Sequence, residues 1–331
     1  MNAMKFTVTH AGFLTTVQDL GRRRFRCFGV SLGGALDVHA LRVANLLVQN
    51  DEAAAGLEIT FGGLRIRFDD QRIIAWCGGE FDVRIGSSAV PPGHAVLVNA
   101  GEELSVSQPT LGCRAWLAIS GGIDVPCVLE SRSTDLRAEF GGIDGRSLRV
   151  GDVVPLAPES TSSQCVVDLL RERRISAWSP PASWSTTAMR EPVLRFIRGA
   201  DWALFNDFTH EAFTNQSFTV SNDSNRMGTR LDGPTLWRNE YSDLVSEPVA
   251  PGTVQVPPSG KPIVLLGDCQ TIGGYPKIAN VISVDLPIAA QLGPGHHLRF
   301  REVARAEAHR LLFHRERDLG LFRVGLETRA A

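Results

Sequence analysis

Hydrophobic and polar residues alternate with a period of two in several short stretches of the chain. Residues 6–10 and 64–68 follow this pattern, which predicts strands with one buried face. Residues 73–77 and 115–119 are instead continuously apolar and are followed by Gly-Gly pairs, which is typical of buried strands that end in tight turns. The pattern therefore predicts a mainly β protein.

Three stretches have the period of a helix instead. Asp37 is the predicted N-cap of a helix over residues 38–48, and residues 201–215 predict a second helix. A third helix is predicted at the C-terminus, over residues 302–325. The apolar face of the second helix would consist of Trp202, Phe205, Phe208 and Phe213. The docking face of the third would consist of Leu311, Leu312 and Phe313.

Composition changes between residues 155 and 192, where serine, threonine and proline accumulate. We therefore expect two β-domains, at residues 5–157 and 192–301, joined by a Pro/Ser-rich linker or excursion at 158–191. The halves also share a sparse echo at an offset of 150 residues, because residues 126–135 and 276–285 both run from a proline to an aspartate. This echo is weak support for a duplicated β-domain.

Charge and composition exclude several classes of protein. The 331 residues carry a net charge of −2, so no bulk electrostatic field attracts nucleic acid or anionic membrane. The N-terminus lacks the apolar core of a signal peptide, and no apolar run has the length of a bilayer span. The six cysteines are dispersed without a CxxC pair, which favours reduced thiols. We expect a cytoplasmic protein.

Motifs that would bind a nucleotide or attach a cofactor are missing from the sequence. The Gly260-Lys261 pair is followed by proline and precedes a strand, so it predicts a turn rather than a phosphate-binding loop. Lys5 half-resembles a biotin-attachment site but has only four residues before it. His296 and His297 would face opposite sides of a strand, so no metal site is predicted. We expect no covalently held cofactor, and we expect another chain to bind any ATP.

Two further features have competing interpretations. The basic run from Arg22 to Arg26 either holds an anion or, more simply, forms a solvated face or a partner contact. Cys269 is a candidate nucleophile, but the adjacent Asp268 would raise the pKa of the thiol and make the thiolate scarce.

The richest candidate site lies between residues 246 and 286. An acid, an amide and a hydroxyl follow directly on the apolar run at 263–267, and a rigid strand end of this kind suits a small polar ligand. The alternative is ordinary turn chemistry, in which these side chains cap the backbone. The candidate catalytic residues are Asp268, Gln270 and Lys277. The candidate substrate-binding residues are Asn225, Arg226, Gln255, Thr271 and Tyr275.

Several motifs, in matching order along nearly the whole chain, resemble the biotin-dependent carboxyltransferase family, also called allophanate hydrolase subunit 2. The strongest is Gln270-Thr271-Ile272-Gly273-Gly274-Tyr275-Pro276-Lys277. Further matches are residues 14–22, 29–37, 44–45, 57–60, 120–126, 131–137, 225–228 and 251–257.

The resemblance implies two cyclophilin-like β-barrel domains with a few short helices. It also implies that the chain acts as the C subunit of an ATP-dependent 5-oxoprolinase, which opens 5-oxoproline to glutamate. The partners would be an allophanate hydrolase subunit 1-like protein (the B subunit of 5-oxoprolinase) and a third protein (its A subunit). One alternative is a carboxyltransferase subunit that passes carboxylate from a partner's carboxybiotin to urea or a related amide. Another is a non-catalytic regulator that antagonises a kinase inhibitor.

The substrates of these enzymes are small amides, which gives the candidate residues specific roles. Asp268 and Gln270 would orient the amide group. Arg226 or Lys277 would neutralise a substrate carboxylate or a developing oxyanion.

Overall fold

Strands dominate the computed structural model, which describes residues 4–185, 191–239 and 244–330. The chain divides into two units, each assembled from separate segments. Unit 1 comprises Met1–Gly21, Gly33–Thr187 and Asp318–Ala331. Unit 2 comprises Arg22–Leu32 and Ala188–Arg317. The sequence analysis expected domain boundaries near residues 157 and 192, and these boundaries stay a prediction.

Unit 1 contains a nine-stranded antiparallel sheet. Its main order is β2-β3-β8-β4-β1-β9, and β5 pairs with β6, β7 and β8. The strands are β1 (Lys5–Ala11), β2 (Leu14–Gln18), β3 (Gly56–Thr60), β4 (Leu64–Phe68), β5 (Arg72–Ile85), β6 (Ser88–Ala89), β7 (Val96–Val98), β8 (Glu103–Ile119) and β9 (Val153–Pro155).

The two kinds of predicted strand occupy different places in this sheet. Strands β1 and β4 pair with Phe6 opposite Phe68, and β4 alternates between buried and exposed residues as its period of two predicts. The start of β5 and the end of β8 are buried continuously. Helix α1 (Val38–Leu47) packs against both of them, so neither face of these strands meets water.

Unit 2 contains a closed barrel of seven strands in the order β10-β17-β14-β15-β12-β11-β18. Strands β13 and β16 form a separate two-stranded ribbon. The strands are β10 (Val193–Arg198), β11 (Phe218–Val220), β12 (Gly228–Asp232), β13 (Glu247–Pro248), β14 (Thr253–Gln255), β15 (Ile263–Leu265), β16 (Ile272–Gly273), β17 (Lys277–Val281) and β18 (His297–Glu302). The predicted mainly β fold is confirmed.

Helices are few. Besides α1 they are α2 (Thr161–Leu170), α3 (Ala182–Ser185), α4 (Asp207–Asn215), α5 (Leu286–Ala290) and α6 (Arg305–Ala330), with 3-10 turns at Arg23–Phe28, Trp202–Leu204 and Ser283–Asp285. Asp37 caps α1 as predicted, because its Oδ1 accepts a hydrogen bond from the Ala40 amide at 2.8 Å. Within the described residues, no helix is long and apolar enough to cross a membrane.

The single helix predicted over residues 201–215 is wrong. A 3-10 turn ends before Phe205, and α4 starts only at Asp207. Asn206 causes the break, because its extended backbone leaves the helix while its side chain accepts from the Thr209 amide. As a result Phe208 is 69% exposed rather than part of the apolar face.

The echo between the two halves does not mark equivalent elements. Residues 126–135 form irregular turns with isolated bridges, whereas residues 276–285 contain strand β17 and a 3-10 turn. Equal spacing of a proline and an aspartate therefore does not specify a shared local structure here.

The expected docking face of the C-terminal helix is also wrong. Leu312 and Phe313 are exposed in α6, and the buried leucines are Leu319 and Leu326, two turns apart. Phe322 lies between them and makes an edge-on contact with Trp184, with 5.7 Å between ring centroids. The helix therefore packs through its last three turns, where its sequence is not visibly amphipathic.

We predict that Leu326→Ala lowers the free energy of unfolding by about 2–5 kcal/mol, because it removes a buried side chain and leaves a cavity. The matched control is Leu321→Ala on the same helix, where the leucine is 65% exposed, and its effect should stay within about 0.5 kcal/mol. Urea denaturation followed by circular dichroism measures both. Equal effects would contradict this assignment of the buried face.

Candidate functional site

The predicted site residues lie on turns and strand ends of unit 2. Asp268 and Gln270 are on the turn that follows β15, while Arg226 precedes β12. Gln255 ends β14, and Lys277 begins β17 opposite it in the barrel register. The barrel thus places residues that are up to 51 positions apart, from Arg226 to Lys277, on neighbouring turns and strand ends.

Arg226 and Asp268 form a bidentate ion pair. Arg226 Nε lies 2.9 Å from Asp268 Oδ2, and Arg226 Nη2 lies 3.0 Å from Asp268 Oδ1. The two side chains are only 6% and 9% exposed, so each charge depends on the other for compensation. The Asp268 amide also donates to the Arg226 carbonyl oxygen at 3.1 Å. The pair therefore fastens the turn after β15 to the turn before β12.

Lys277 is held between two carboxylates. Its Nζ lies 3.0 Å from Asp201 Oδ2 and 2.9 Å from Glu247 Oε2, while its backbone amide donates to the same Asp201 oxygen. Burial lowers the pKa of Lys277, but the hydrogen bonds to Glu247 and Asp201 outweigh burial, and the pKa is raised above its ordinary value. Lys277 is therefore a fixed ammonium group and a poor general base.

Gln255 and Gln270 form a pair of carboxamides. Gln270 Nε2 donates to Gln255 Oε1 at 3.3 Å, and Gln255 Nε2 donates weakly to the Tyr275 carbonyl oxygen at 3.5 Å. In the part of the chain that the structure describes, Gln270 Oε1 accepts no hydrogen bond. A Cβ at Gly273 would lie 2.7 Å from Gln255 Nε2, so a larger residue there would push the Gln255 amide out of its present position.

Three predicted substrate-binding residues contribute differently from the expectation. Asn225 is exposed, and its Oδ1 accepts from the Met227 amide at 2.8 Å, which is the turn chemistry held open as an alternative. Thr271 contributes a carbonyl oxygen, which accepts from the Val249 amide at 3.0 Å. Tyr275 is 46% exposed, and its carbonyl oxygen rather than its hydroxyl contacts Gln255.

Cys269 is fully buried between Asp268 and Gln270. Burial raises the pKa of its thiol, and the nearby Arg26 opposes this effect without reversing it. The sequence argument named Asp268 as the cause, but Asp268 is a smaller contribution than burial. The thiol is therefore poorly suited to act as a nucleophile.

Sequence reasoning missed three residues of this cluster, namely Asp201, Glu247 and Arg26. The two carboxylates contact Lys277 from distant parts of the chain, and no local pattern connects them to it. Arg26 gave a signal as part of the basic run, and its Nη2 donates to the Val249 carbonyl oxygen. Within the run, Arg22 is buried and Arg26 is partly buried, whereas Arg23 and Arg24 are exposed, and the sequence alone does not distinguish them.

In residues 4–185, 191–239 and 244–330, no group of three or more His, Cys, Asp or Glu side chains is placed so that it could bind a metal ion. His297 lies on β18 and pairs with Thr219, with 3.1 Å between its Nδ1 and Thr219 Oγ1.

Comparisons with known proteins place this barrel and sheet in context. The family model described as carboxyltransferase domain, subdomain A and B, matches residues 28–302. A protein of Escherichia coli K12 that is named as the C subunit of 5-oxoprolinase is 40% identical over 304 residues, which are 91% of this chain and 92% of that protein. The protein of the same name in Haemophilus influenzae is 35% identical over 89% of this chain and 90% of its own length.

Urea-processing enzymes are similar to this chain over a smaller part of their own length. Urea amidolyase of Lachancea kluyveri is 31% identical over 92% of this chain, but the match spans 17% of that enzyme. The crystal structure of the K. lactis urea amidolyase superposes with a TM-score of 0.88 at 28% identity, covering 97% of this chain and 20% of that one.

We predict that Asp268→Asn lowers the free energy of unfolding by about 3–5 kcal/mol, because it leaves the Arg226 charge buried and uncompensated. The control is Asp232→Asn, which breaks an ion pair to Lys261 whose side chains are half exposed, and it should cost less than about 1 kcal/mol. Chemical denaturation at neutral pH measures both variants. If they differ little, Arg226 does not need this carboxylate.

We also predict a pH dependence for Lys277. Its folded-state pKa is above the ordinary value of 10.5, so its charge stabilises the fold at every pH below the unfolded-state value and loses this effect as pH rises through the folded-state value. The difference in unfolding free energy between wild type and Lys277→Met should therefore be constant through neutral pH and shrink in strongly alkaline buffer. A difference that grows with pH would contradict the ion-pair assignment.

Proposed function

Because this chain belongs to the family of carboxyltransferase domains with subdomains A and B, we propose that it is the C subunit of an ATP-dependent 5-oxoprolinase. One observation carries the proposal. The match to two proteins that carry this name extends over about nine-tenths of this chain and about nine-tenths of each of those proteins. In the urea amidolyases the match covers only 17–20% of the length of the enzyme.

The proposed reaction opens a lactam. Water adds to the ring carbonyl of 5-oxoproline, the carbon–nitrogen bond breaks, and the nitrogen takes up a proton, which gives glutamate. ATP hydrolysis supplies the driving force. We propose that an allophanate hydrolase subunit 1-like protein (the B subunit of 5-oxoprolinase) and a third protein (its A subunit) complete the complex, since this sequence has no phosphate-binding loop. A cytoplasmic location belongs to the same proposal.

The pair of carboxamides supports recognition of a lactam. A lactam presents its N–H and its carbonyl oxygen on the same edge, and the side chain of glutamine offers the complementary acceptor and donor. Gln270 Oε1 accepts no other hydrogen bond among the described residues, and Gln255 fixes the orientation of the Gln270 amide at 3.3 Å. Gln270 is therefore assigned as the group that binds the substrate amide.

The charged groups of the cluster receive positioning and electrostatic roles. Asp268 is engaged by Arg226 and holds the turn that carries Gln270. Lys277 is protonated and neutralised by Asp201 and Glu247, so its role is to fix the start of β17 beside Gln255 through charge pairing. Because ion pairs hold both Asp268 and Lys277 in place, we expect neither side chain to move far during the reaction, as in a preorganised site.

A second candidate is carboxyl transfer from a partner's carboxybiotin to urea. It is favoured by the TM-score of 0.88 with the K. lactis urea amidolyase. Urea is also a small amide, so the same glutamine pair would bind it. The two candidates differ in the co-substrate rather than in the residues of this chain.

The deciding experiment mixes this chain with the two proposed partner proteins, the B and A subunits of 5-oxoprolinase, and measures ATP hydrolysis. We expect hydrolysis that depends on 5-oxoproline, that releases glutamate and that requires all three proteins. Hydrolysis without this chain would contradict the proposal. Activity with urea and carboxybiotin, but none with 5-oxoproline, would support the second candidate instead.

Within the active complex, we predict that Gln270→Ala lowers kcat/KM for 5-oxoproline by about 10- to 100-fold, because the buried amide of the substrate loses its partner. Gln216→Ala is the control, since Gln216 is an exposed residue of the same unit. Unchanged kinetics in Gln270→Ala would remove Gln270 from the substrate site.

A further inference from the structure

Three cations surround the candidate site, and two of them are already neutralised. Arg226 is paired with Asp268, and Lys277 is paired with Asp201 and Glu247. A substrate carboxylate would have to compete with these internal partners to bind either one. Arg26 is different, because it forms no ion pair with any carboxylate in the part of the chain that the structure describes.

The guanidinium of Arg26 is also incompletely hydrogen-bonded. Its Nη2 donates to the Val249 carbonyl oxygen, whereas its Nη1 is buried and has no hydrogen-bond partner in residues 4–185, 191–239 and 244–330. The Cys269 thiol beside it is a weak acceptor at most. A buried donor on a charged group that lacks an acceptor is costly, so the unpaired Nη1 of Arg26 is a donor that a ligand oxygen would satisfy.

The backbone keeps this guanidinium next to the glutamine pair. Arg26 belongs to the 3-10 turn Arg23–Phe28, which ends at Gly29 in the left-handed conformation. Its acceptor residue Val249 donates in turn to the Thr271 carbonyl oxygen, directly after Gln270. Cys269, the other neighbour of Arg26, directly precedes Gln270. Arg26 therefore contacts Cys269, which precedes Gln270, and is linked through Val249 to Thr271, which follows it.

We propose that Arg26 binds the carboxylate of the substrate, so that the site selects lactams that carry a carboxylate on the ring carbon next to the nitrogen. Such a molecule holds its N–H and its carboxylate close together, which matches an amide acceptor on the turn after β15 and a guanidinium from the 3-10 turn Arg23–Phe28 that contacts this turn at Cys269. A guanidinium engages a carboxylate through two parallel hydrogen bonds, which gives orientation as well as affinity. This inference rests on the proposed 5-oxoprolinase function and replaces Arg226 as the carboxylate-binding residue.

The test compares two lactams, 5-oxoproline and 2-pyrrolidinone, which lacks the carboxylate. Their binding to the assembled complex is measured by calorimetry, and their turnover by lactam-dependent ATP hydrolysis. We expect Arg26→Gln to weaken 5-oxoproline binding and kcat/KM by about 10- to 100-fold and to leave those of 2-pyrrolidinone unchanged. Arg26→Lys should recover part of the loss, because it keeps the charge but not the two parallel donors.

Arg23→Gln is the matched control, because Arg23 is an exposed residue of the same 3-10 turn. It should leave both lactams unaffected. If Arg26→Gln weakens both lactams equally, or neither, Arg26 is structural and the inference fails while the proposed function stands. If the wild type binds 5-oxoproline through Arg26 without turning it over, only the proposed function fails. If the wild type does not bind 5-oxoproline, both fail.

Discussion

Compensation of buried charge is the constraint on which the candidate site depends. Arg226 and Asp268 are almost completely removed from water, and neither is tolerable without the other. Because their backbones are also hydrogen-bonded, the ion pair fixes the start of the turn that carries Cys269 and Gln270. The position of the proposed substrate amide partner is thus set by an interaction that does not itself touch substrate.

The same turn is fixed at its far end by the ribbon of β13 and β16. The ribbon places Glu247 opposite Gly273, so one short element both supplies a carboxylate to Lys277 and leaves space for the Gln255 amide. A side chain at residue 273 would displace the Gln255 amide, and a shifted register would remove Glu247 from Lys277. Charge pairing and steric fit therefore depend on one register, which makes the cluster rigid.

Local patterns predicted much of the fold and part of this cluster. The hydrophobic period identified β1, β4, β5 and β8. A strand buried on one face alternates between apolar and polar residues, and a strand buried on both faces is continuously apolar. Asp37 revealed a helix start because capping acts over three residues. The same reasoning missed the break at Asn206, where a cap lies inside an apolar pattern. It also misplaced the buried face of α6, where tertiary packing rather than amphipathicity selects Leu319 and Leu326.

The partners of the site residues could not be predicted from local sequence patterns, since Asp201 contacts Lys277 from 76 positions away and Arg26 contacts Val249 from 223 positions away. Only the closed barrel creates these contacts, so the sequence could name chemically suitable residues without indicating which charges would remain uncompensated.

This distribution of charge bears on which molecule the chain can hold. A nucleoside triphosphate carries several negative charges, and a protein binds these charges with backbone amides and cations that have no other partner. Of the three cations around the candidate site, Arg226 and Lys277 are already neutralised within the fold, which leaves the charge of Arg26 and the amides of Gln255 and Gln270. One positive charge beside a pair of carboxamides matches a small monocarboxylate with an amide, not a polyphosphate. This balance of charge agrees with the proposed roles of the subunits, in which this chain binds the organic substrate and the partner proteins bind ATP.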